Sequence, residues 1–193
     1  MGIYVINGRP ESGKSTFAQD VIKIVTSKFG IELSTVDLVK KIALDLGWNG
    51  EKTLKDRKFL SDLKDLLTEW DDIPVKNVKK SVDRFLWELR YWDIDTSQVA
   101  IFINCREPQE IKRLCEELGA KSILVRRDET EDIEVSNHAD EQVFEYNYDI
   151  EIVNNGTLED LAFKALEFVD NEKLYIEKYK NLKIDKLGNI YYY

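Results

Sequence analysis

The chain is poor in the residues that build the commonest metal and thiol sites. It has one histidine, His138, and two cysteines, Cys105 and Cys115. No Cys/His group has zinc spacing. The lone histidine, in "SNHADE", reads as an exposed loop residue, and the two cysteines read as buried thiols of a reducing compartment. No apolar run approaches the roughly 20 residues needed to span a bilayer. The start of the chain lacks a basic region followed by an apolar stretch, and "MGIYVI" lacks the hydroxyl residue of a myristoylation signal. The expected location is therefore the cytoplasm, with no membrane partner. Positive charge is also short: 28 Lys and Arg stand against 37 Asp and Glu, a net charge of −9. That excludes a broad nucleic-acid surface, and any anionic ligand must find a locally positive site.

What is present is a pattern of alternating elements. The 193 residues, 43% hydrophobic and 34% charged, suit one globular domain. "GIYVIN" (2–7) reads as a buried strand, and 14–28 as a helix with Phe17, Val21, Ile24 and Val25 on one face. "IELST" (31–35) is a second strand, followed by helices over 36–47, 53–70 and about 76–90. In the helix over 53–70, Thr53 and Asp56 form a capping pair, and Leu54, Leu60, Leu63, Leu67 and Trp70 form its apolar stripe. "QVAIFIN" (98–104) has the continuous apolarity of a strand buried on both faces. A helix over 108–119 ending in Gly119, a strand over 121–127, an acidic loop over 128–141, a strand over 148–154 and a helix over 156–169 capped by Thr157 and Asp160 complete the pattern. The tail "GNIYYY" carries no clear signal. This order predicts an α/β fold: a doubly wound parallel β-sheet with helices on both faces, interrupted after the second strand by a helical block over about 38–95.

Between the first strand and the first helix stands "GRPESGKST" (8–16). Glycine, four residues and Gly-Lys-Ser, placed between strand and helix, is the context of a phosphate-binding loop. Gly8 and Gly13 let backbone N–H groups turn inward as an anion nest, and the helix N-terminus adds partial positive charge. Glu11 and Ser12 lie within the loop, Glu11 and Arg9 on its solvent side. Lys14 is expected on the β- and γ-phosphates, the Ser15 hydroxyl on Mg²⁺, and Thr16 on an α-phosphate oxygen, which makes ATP and Mg²⁺ the expected cofactors. The Asn-Lys-x-Asp motif of guanine-nucleotide hydrolases is absent. Instead the central strand ends "IFINCREP", and Arg106 at that end suits a second phosphorylated ligand. Arg57 either clamps an acceptor phosphate or belongs to an exposed helix face with Lys55 and Lys58. Trp48, Phe59 and Trp70 are read mostly as core of the helical block, one of them free to stack on a base.

"IELSTVDLVKK" resembles the acceptor segment of the nucleoside monophosphate kinases, with Ser34, Thr35, Asp37 and Lys40 in the matching places. The resemblance implies that Thr35 lies near the acceptor base and that Lys40, where the family has arginine, meets the acceptor phosphate. "IFINCREPQEI", "ILVRRD" and "YDIEIVNNGTLEDL" resemble the phage-type deoxynucleoside monophosphate kinases through Arg106, Glu110, Arg127, Asp149, Asn154, Gly156 and Thr157. In that pattern Arg127 is a lid arginine on the transferring phosphoryl, at the start of a lid loop over about 127–141. Asn104 stands where the family has an aspartate that supports Mg²⁺, which shifts the metal onto Ser15 and Asp37. The implied fold is that of the P-loop NTPases, with the helical block as the acceptor-binding insert of a single 1–193 domain. The implied reaction is transfer of the γ-phosphoryl of ATP to a (deoxy)nucleoside monophosphate, with Lys14, Arg106 and Arg127 catalytic. Two alternatives stay open: another small-molecule kinase resembling dephospho-coenzyme A kinase, and a nucleotide-binding regulator with weak turnover. The oligomeric state is open, a homodimer included.

Overall fold

The computed structural model describes residues 1–25, 29–51, 53–130, 142–174 and 182–192. Its elements are β1 (Gly2–Asn7), α1 (Lys14–Val25), β2 (Gly30–Ser34), α2 (Asp37–Asp45), α3 (Leu54–Asp71), α4 (Ile73–Tyr91), β3 (Ala100–Asn104), α5 (Pro108–Leu118), β4 (Lys121–Arg126), β5 (Ile150–Val153), α6 (Leu158–Asn171), β6 (Leu182–Ile184) and β7 (Ile190–Tyr192). The first five strands form one sheet in the order β2-β3-β1-β4-β5, parallel throughout. The expected parallel α/β sheet is thus the observed one, and β1 lies at its centre between β3 and β4.

Alternation along the strands decides which helix lies on which face. Tyr4, Ile6, Ala100, Phe102, Ile123 and Val125 point to one side, where Phe17, Ala18, Val21 and Ile24 of α1 and Leu161, Ala165 and Phe168 of α6 cover them. Val5, Ile101 and Ile103 point to the other, under Val75, Val78, Val82 and Leu89 of α4 and Ile111 and Leu114 of α5. A fully buried side chain of this size contributes about 1.5–3 kcal/mol, so two filled faces account for a sheet with no exposed surface at its centre. Tyr4, Phe17, Phe102 and Phe168 meet at ring-centroid distances of 5.0–6.5 Å and fill the gap between α1 and α6.

The capping pairs form as expected. The Thr53 and Thr157 hydroxyls accept from the N–H groups of Asp56 and Asp160, whose carboxylates accept in return from the threonine N–H groups. Gly119 closes α5 in the left-handed conformation.

The helical block differs from expectation in two ways. Its last helix, α4, is part of the core layer. Its middle helix, α3, is not: Lys64 is the one buried residue among its 18. Leu54 and Trp70, expected in the core stripe, are 77% and 79% exposed, and Phe59 is exposed as well. The reason is placement. α3 packs chiefly against α2 and α4 rather than on the sheet, so Leu60, Leu63 and Leu67 are the only apolar side chains it half-buries.

The obscure tail forms a hairpin, β6–β7, beside α1 and α6. Asp185 holds its turn, accepting from the N–H groups of Leu187 and Asn189, the Asn189 amide and the Tyr191 hydroxyl. Of the two cysteines, Cys105 is buried and Cys115 only partly so. Residues 131–141 of the expected lid, with His138, and residues 26–28 of the first predicted helix lie outside the described residues. No helix among the described residues is long and apolar enough to cross a membrane.

Candidate active site

The site begins where β1 stops. Asn7 is the last residue of the strand and is 1% exposed. Its Oδ1 accepts from the Gly8 N–H at 2.8 Å, which turns the chain out of the sheet. Its Nδ2 donates to the Arg106 carbonyl at 3.2 Å and to the Tyr148 hydroxyl at 2.7 Å. One buried amide therefore ties the phosphate loop to the end of β3 and to the segment before β5. Burial pushes the Tyr148 hydroxyl up to about 12, so it stays protonated and donates onward to the Val143 carbonyl at 2.8 Å. Sequence reasoning missed this role of Asn7, because Asn-Gly after a strand reads only as a turn.

The loop itself requires glycine twice. Gly8 has φ +150°, and a Cβ there would lie 2.2 Å from the Val125 carbonyl oxygen. Gly13 has φ +92°, and a Cβ there would lie 2.5 Å from Asn154 Nδ2. Glu11 takes the left-handed conformation without being glycine, with φ +63°. Alternation of handedness of this kind is what turns successive N–H groups to one side as an anion nest. Glu11 is exposed, as expected. Arg9 is not merely solvated: its guanidinium carbon lies 5.4 Å from the centre of the Phe144 ring, within cation–π range.

Lys14 opens α1, and its Nζ donates to the Gly8 and Arg9 carbonyls at 2.7 Å each. The ammonium is thus held over the loop rather than extended to solvent. Ser15 is exposed and Thr16 half-buried on the first turn of α1. Ser12 is fully buried, and among the described residues its hydroxyl oxygen has no hydrogen-bond partner. A buried hydroxyl costs free energy unless it is partnered. Together with the nest and the lysine, this orphaned donor fits a loop built around nucleotide phosphates.

Most of the remaining expected residues lie at or just beyond the carboxyl ends of the neighbouring strands, the usual ligand edge of an open parallel sheet. Thr35 is buried just after β2, its N–H donating to the Asn104 carbonyl at 3.1 Å. Asp37 heads α2 and accepts from the Ser34 N–H at 2.8 Å. Lys40 is exposed one turn later. Arg106 follows β3, half-buried, with its carbonyl fixed by Asn7. Arg57 is exposed on the first turn of α3. Arg127 follows β4 and is bound by Glu129, with Nη2–Oε2 at 2.6 Å. The adjacent Arg126 lies 3.8 Å from both Asp128 and Glu151. The structure therefore brings the loop, Thr35, Asn104 and Arg106 to one edge, and leaves Arg57 and Lys40 on the surface of the helical block.

A buried ionic cluster lies directly behind Arg106. Lys64 of α3 pairs with Glu110 at 3.0 Å and lies 3.6 Å from Glu107. Cys105 Sγ lies 3.4 Å from Glu110 Oε2. Burial and the Glu110 carboxylate hold the Cys105 thiol well above its usual range. Cys115 is pushed up to about 11, mainly by burial. Both thiols are therefore protonated at neutral pH and are poor nucleophiles.

No protein-family model and no curated protein matches the chain. Among solved structures, it is similar to a mutant of the Mycobacterium tuberculosis APS kinase at 13% identity and a TM-score of 0.41, covering 88% of this chain and 96% of that one. It is also similar to the protein TT1252 of Thermus thermophilus at 18% identity and a TM-score of 0.44, covering 89% of this chain and 97% of that one. Both scores lie below one half, so the functional reading rests on the chain's own strand order and loop. Those two features make this an α/β P-loop protein: a nest between β1 and α1, at the edge of a sheet ordered β2-β3-β1-β4-β5.

Proposed function

We propose that the chain is a kinase that transfers the γ-phosphoryl of Mg·ATP to a (deoxy)nucleoside monophosphate in the cytoplasm. The observation that carries this reading is the pairing of the phosphate loop with a second basic position, Arg106, held to it through the Asn7 amide. Phosphoryl transfer asks the protein for alignment and charge neutralisation rather than covalent chemistry. When bound, Mg²⁺ would offset the charge of the phosphates, with Ser15 and Asp37 the residues expected to hold it. Lys14 and the nest hold the donor phosphates, Ser15 stands at the metal, and Arg106 holds the acceptor phosphate across from them. Thr35 lies at the carboxyl end of β2 where the acceptor base sits in this reading, with Asp37 and Lys40 on the helix beyond it. Arg127, bound by Glu129, is the residue assigned to the transferring group in this reading. α2 and α3 cover the acceptor, and their light packing suits a covering element that opens.

The test is ADP release from Mg·ATP with and without each common nucleoside and deoxynucleoside monophosphate, beside a Lys14→Ala control. Stimulation by one or a few acceptors, lost in the control, is the expected result. ATP binding with no acceptor-stimulated release would reject the monophosphate reading. A second reading, a nucleotide-binding regulator with weak turnover, is favoured by the neutral Asn104 at the strand end, and that same result would support it.

A further inference from the structure

Asn104 closes β3 on the α1 face of the sheet, where the resemblance leads one to expect a metal-supporting carboxylate. A carboxylate is nonetheless present there. Glu32 of β2 faces the same side, two residues before the Ser34 that pairs with Asn104. Its longer side chain runs toward the carboxyl end of the sheet, and Asn104 Nδ2 donates to Glu32 Oε1 at 2.8 Å. The other oxygen, Oε2, lies 3.4 Å from Gln19 Nε2 of α1. Gln19 is one helical turn from Ser15, so the two share a face of α1 and both look toward this strand end. Glu32 is half-buried, and among the described residues it forms no ion pair with lysine or arginine. Asp37, the other candidate, already spends an oxygen on the Ser34 N–H, beyond the end of β2.

The charge arithmetic is unfavourable as it stands. A half-buried carboxylate is supported only by neutral amides, one of them a single turn of α1 from Ser15 of a loop built to hold a polyanion. Like charges across such a gap repel strongly at the low effective dielectric of a cleft. A divalent cation between them reverses the sign of the interaction.

We propose that Glu32 is the carboxylate that supports the nucleotide-bound Mg²⁺, directly or through water, and that Asn104 is the residue that positions it. The strand-end acid has in effect moved one strand over, from β3 to β2, and the amide left behind at Asn104 orients it. This inference rests on the nucleotide-binding reading above.

The test measures metal-coupled nucleotide binding rather than turnover. ATP affinity is titrated calorimetrically in excess Mg²⁺ and in chelator, and Mn²⁺ in the ATP complex is followed by paramagnetic resonance. Wild type is expected to bind ATP more tightly with the metal. Glu32→Gln should lose roughly 10- to 100-fold of that metal-dependent gain, as removal of supporting groups does at metal sites. Its affinity in chelator should hold or rise, since a repelling charge is gone. The double variant Glu32→Gln/Asn104→Asp, which returns the acid to β3, should recover the gain and restore the Mn²⁺ signal. If Glu32→Gln folds poorly, Asn104→Ala serves instead and should lose a smaller part of the gain. A wild-type metal-dependent gain retained in Glu32→Gln, or in Asn104→Ala where that variant is used, would overturn the role of Glu32 and leave the nucleotide reading intact. Failure of wild type to bind ATP at all would overturn both.

Discussion

The side-chain amide of Asn154 donates to the carbonyl of Ser12 at 2.9 Å, joining the loop after β5 to the phosphate loop across 142 residues of chain. Asn154 is 5% exposed, and its own N–H donates to the Arg126 carbonyl at 2.7 Å. Its neighbour Asn155 makes a second bridge: Oδ1 accepts from the Asp128 N–H at 3.0 Å and Nδ2 donates to Asp128 Oδ2 at 2.7 Å. The pair therefore fixes the phosphate loop with one residue and the turn after Arg127 with the next.

Asn154→Ala should leave the buried Ser12 carbonyl without its donor. A lost partner of this kind costs about 1–3 kcal/mol, and part of that cost should appear as weaker ATP binding, because the loop then samples other shapes. Calorimetry of ATP binding beside thermal unfolding separates the two parts. Asn155→Ala should weaken ATP binding much less, since its contacts are exposed and lie at Asp128.

Tyr148→Phe removes the hydroxyl that accepts from Asn7 and donates to Val143. Both partners are buried. We expect a loss of about 1–3 kcal/mol, which for a chain of this size lowers Tm by roughly 2–4 °C per kcal/mol. A melt indistinguishable from wild type would show that the Asn7 amide is satisfied some other way.

Lys64→Met leaves Glu110 buried without its cation. Breaking a buried pair costs about 3–5 kcal/mol, and replacing both partners costs far less. Urea unfolding of Lys64→Met should show a large loss that Lys64→Met/Glu110→Leu mostly restores. Trp70→Phe, on the same helix but 79% exposed, should change stability by less than about 0.5 kcal/mol.

Acid should remove two local supports. The Asp149 carboxyl is held below its usual range, first by the Ser122 N–H at 2.8 Å and then by the Ser122 hydroxyl at 2.7 Å. Asp185 is held at about 2, first by the Asn189 side-chain amide and then by its N–H. A carboxyl whose folded pKa is depressed stabilises the fold fully above its unfolded value, near 3.9, and loses that contribution as pH falls through the folded value. The stability gap between wild type and Asp149→Asn should therefore be constant at neutral pH and close below about pH 4. The same holds for Asp185→Asn. Chemical unfolding at a series of pH values measures both.

The residues that were legible in the sequence are those whose reasons are local. "GRPESGKST" carries its glycines, lysine and serine within nine consecutive residues, and backbone sterics alone make Gly8 and Gly13 necessary. The capping pairs Thr53–Asp56 and Thr157–Asp160 close within one turn. The apolar runs of β1 and β3 and the alternation of strand and helix point to a parallel sheet, because a helix between two strands supplies the crossover that parallel neighbours need. What only the tertiary structure decided is what depends on partners far apart in sequence. Glu32 meets Asn104 across 72 residues, Asn7 meets Tyr148 across 141, and Lys64 meets Glu110 across 46. No periodicity marks such side chains, since each is a single polar residue whose value comes from one distant partner. The same reason explains α3. Its apolar stripe was visible, but whether Trp70 faces core or water depends on which element packs above it, and that is fixed by the placement of α4 on the sheet.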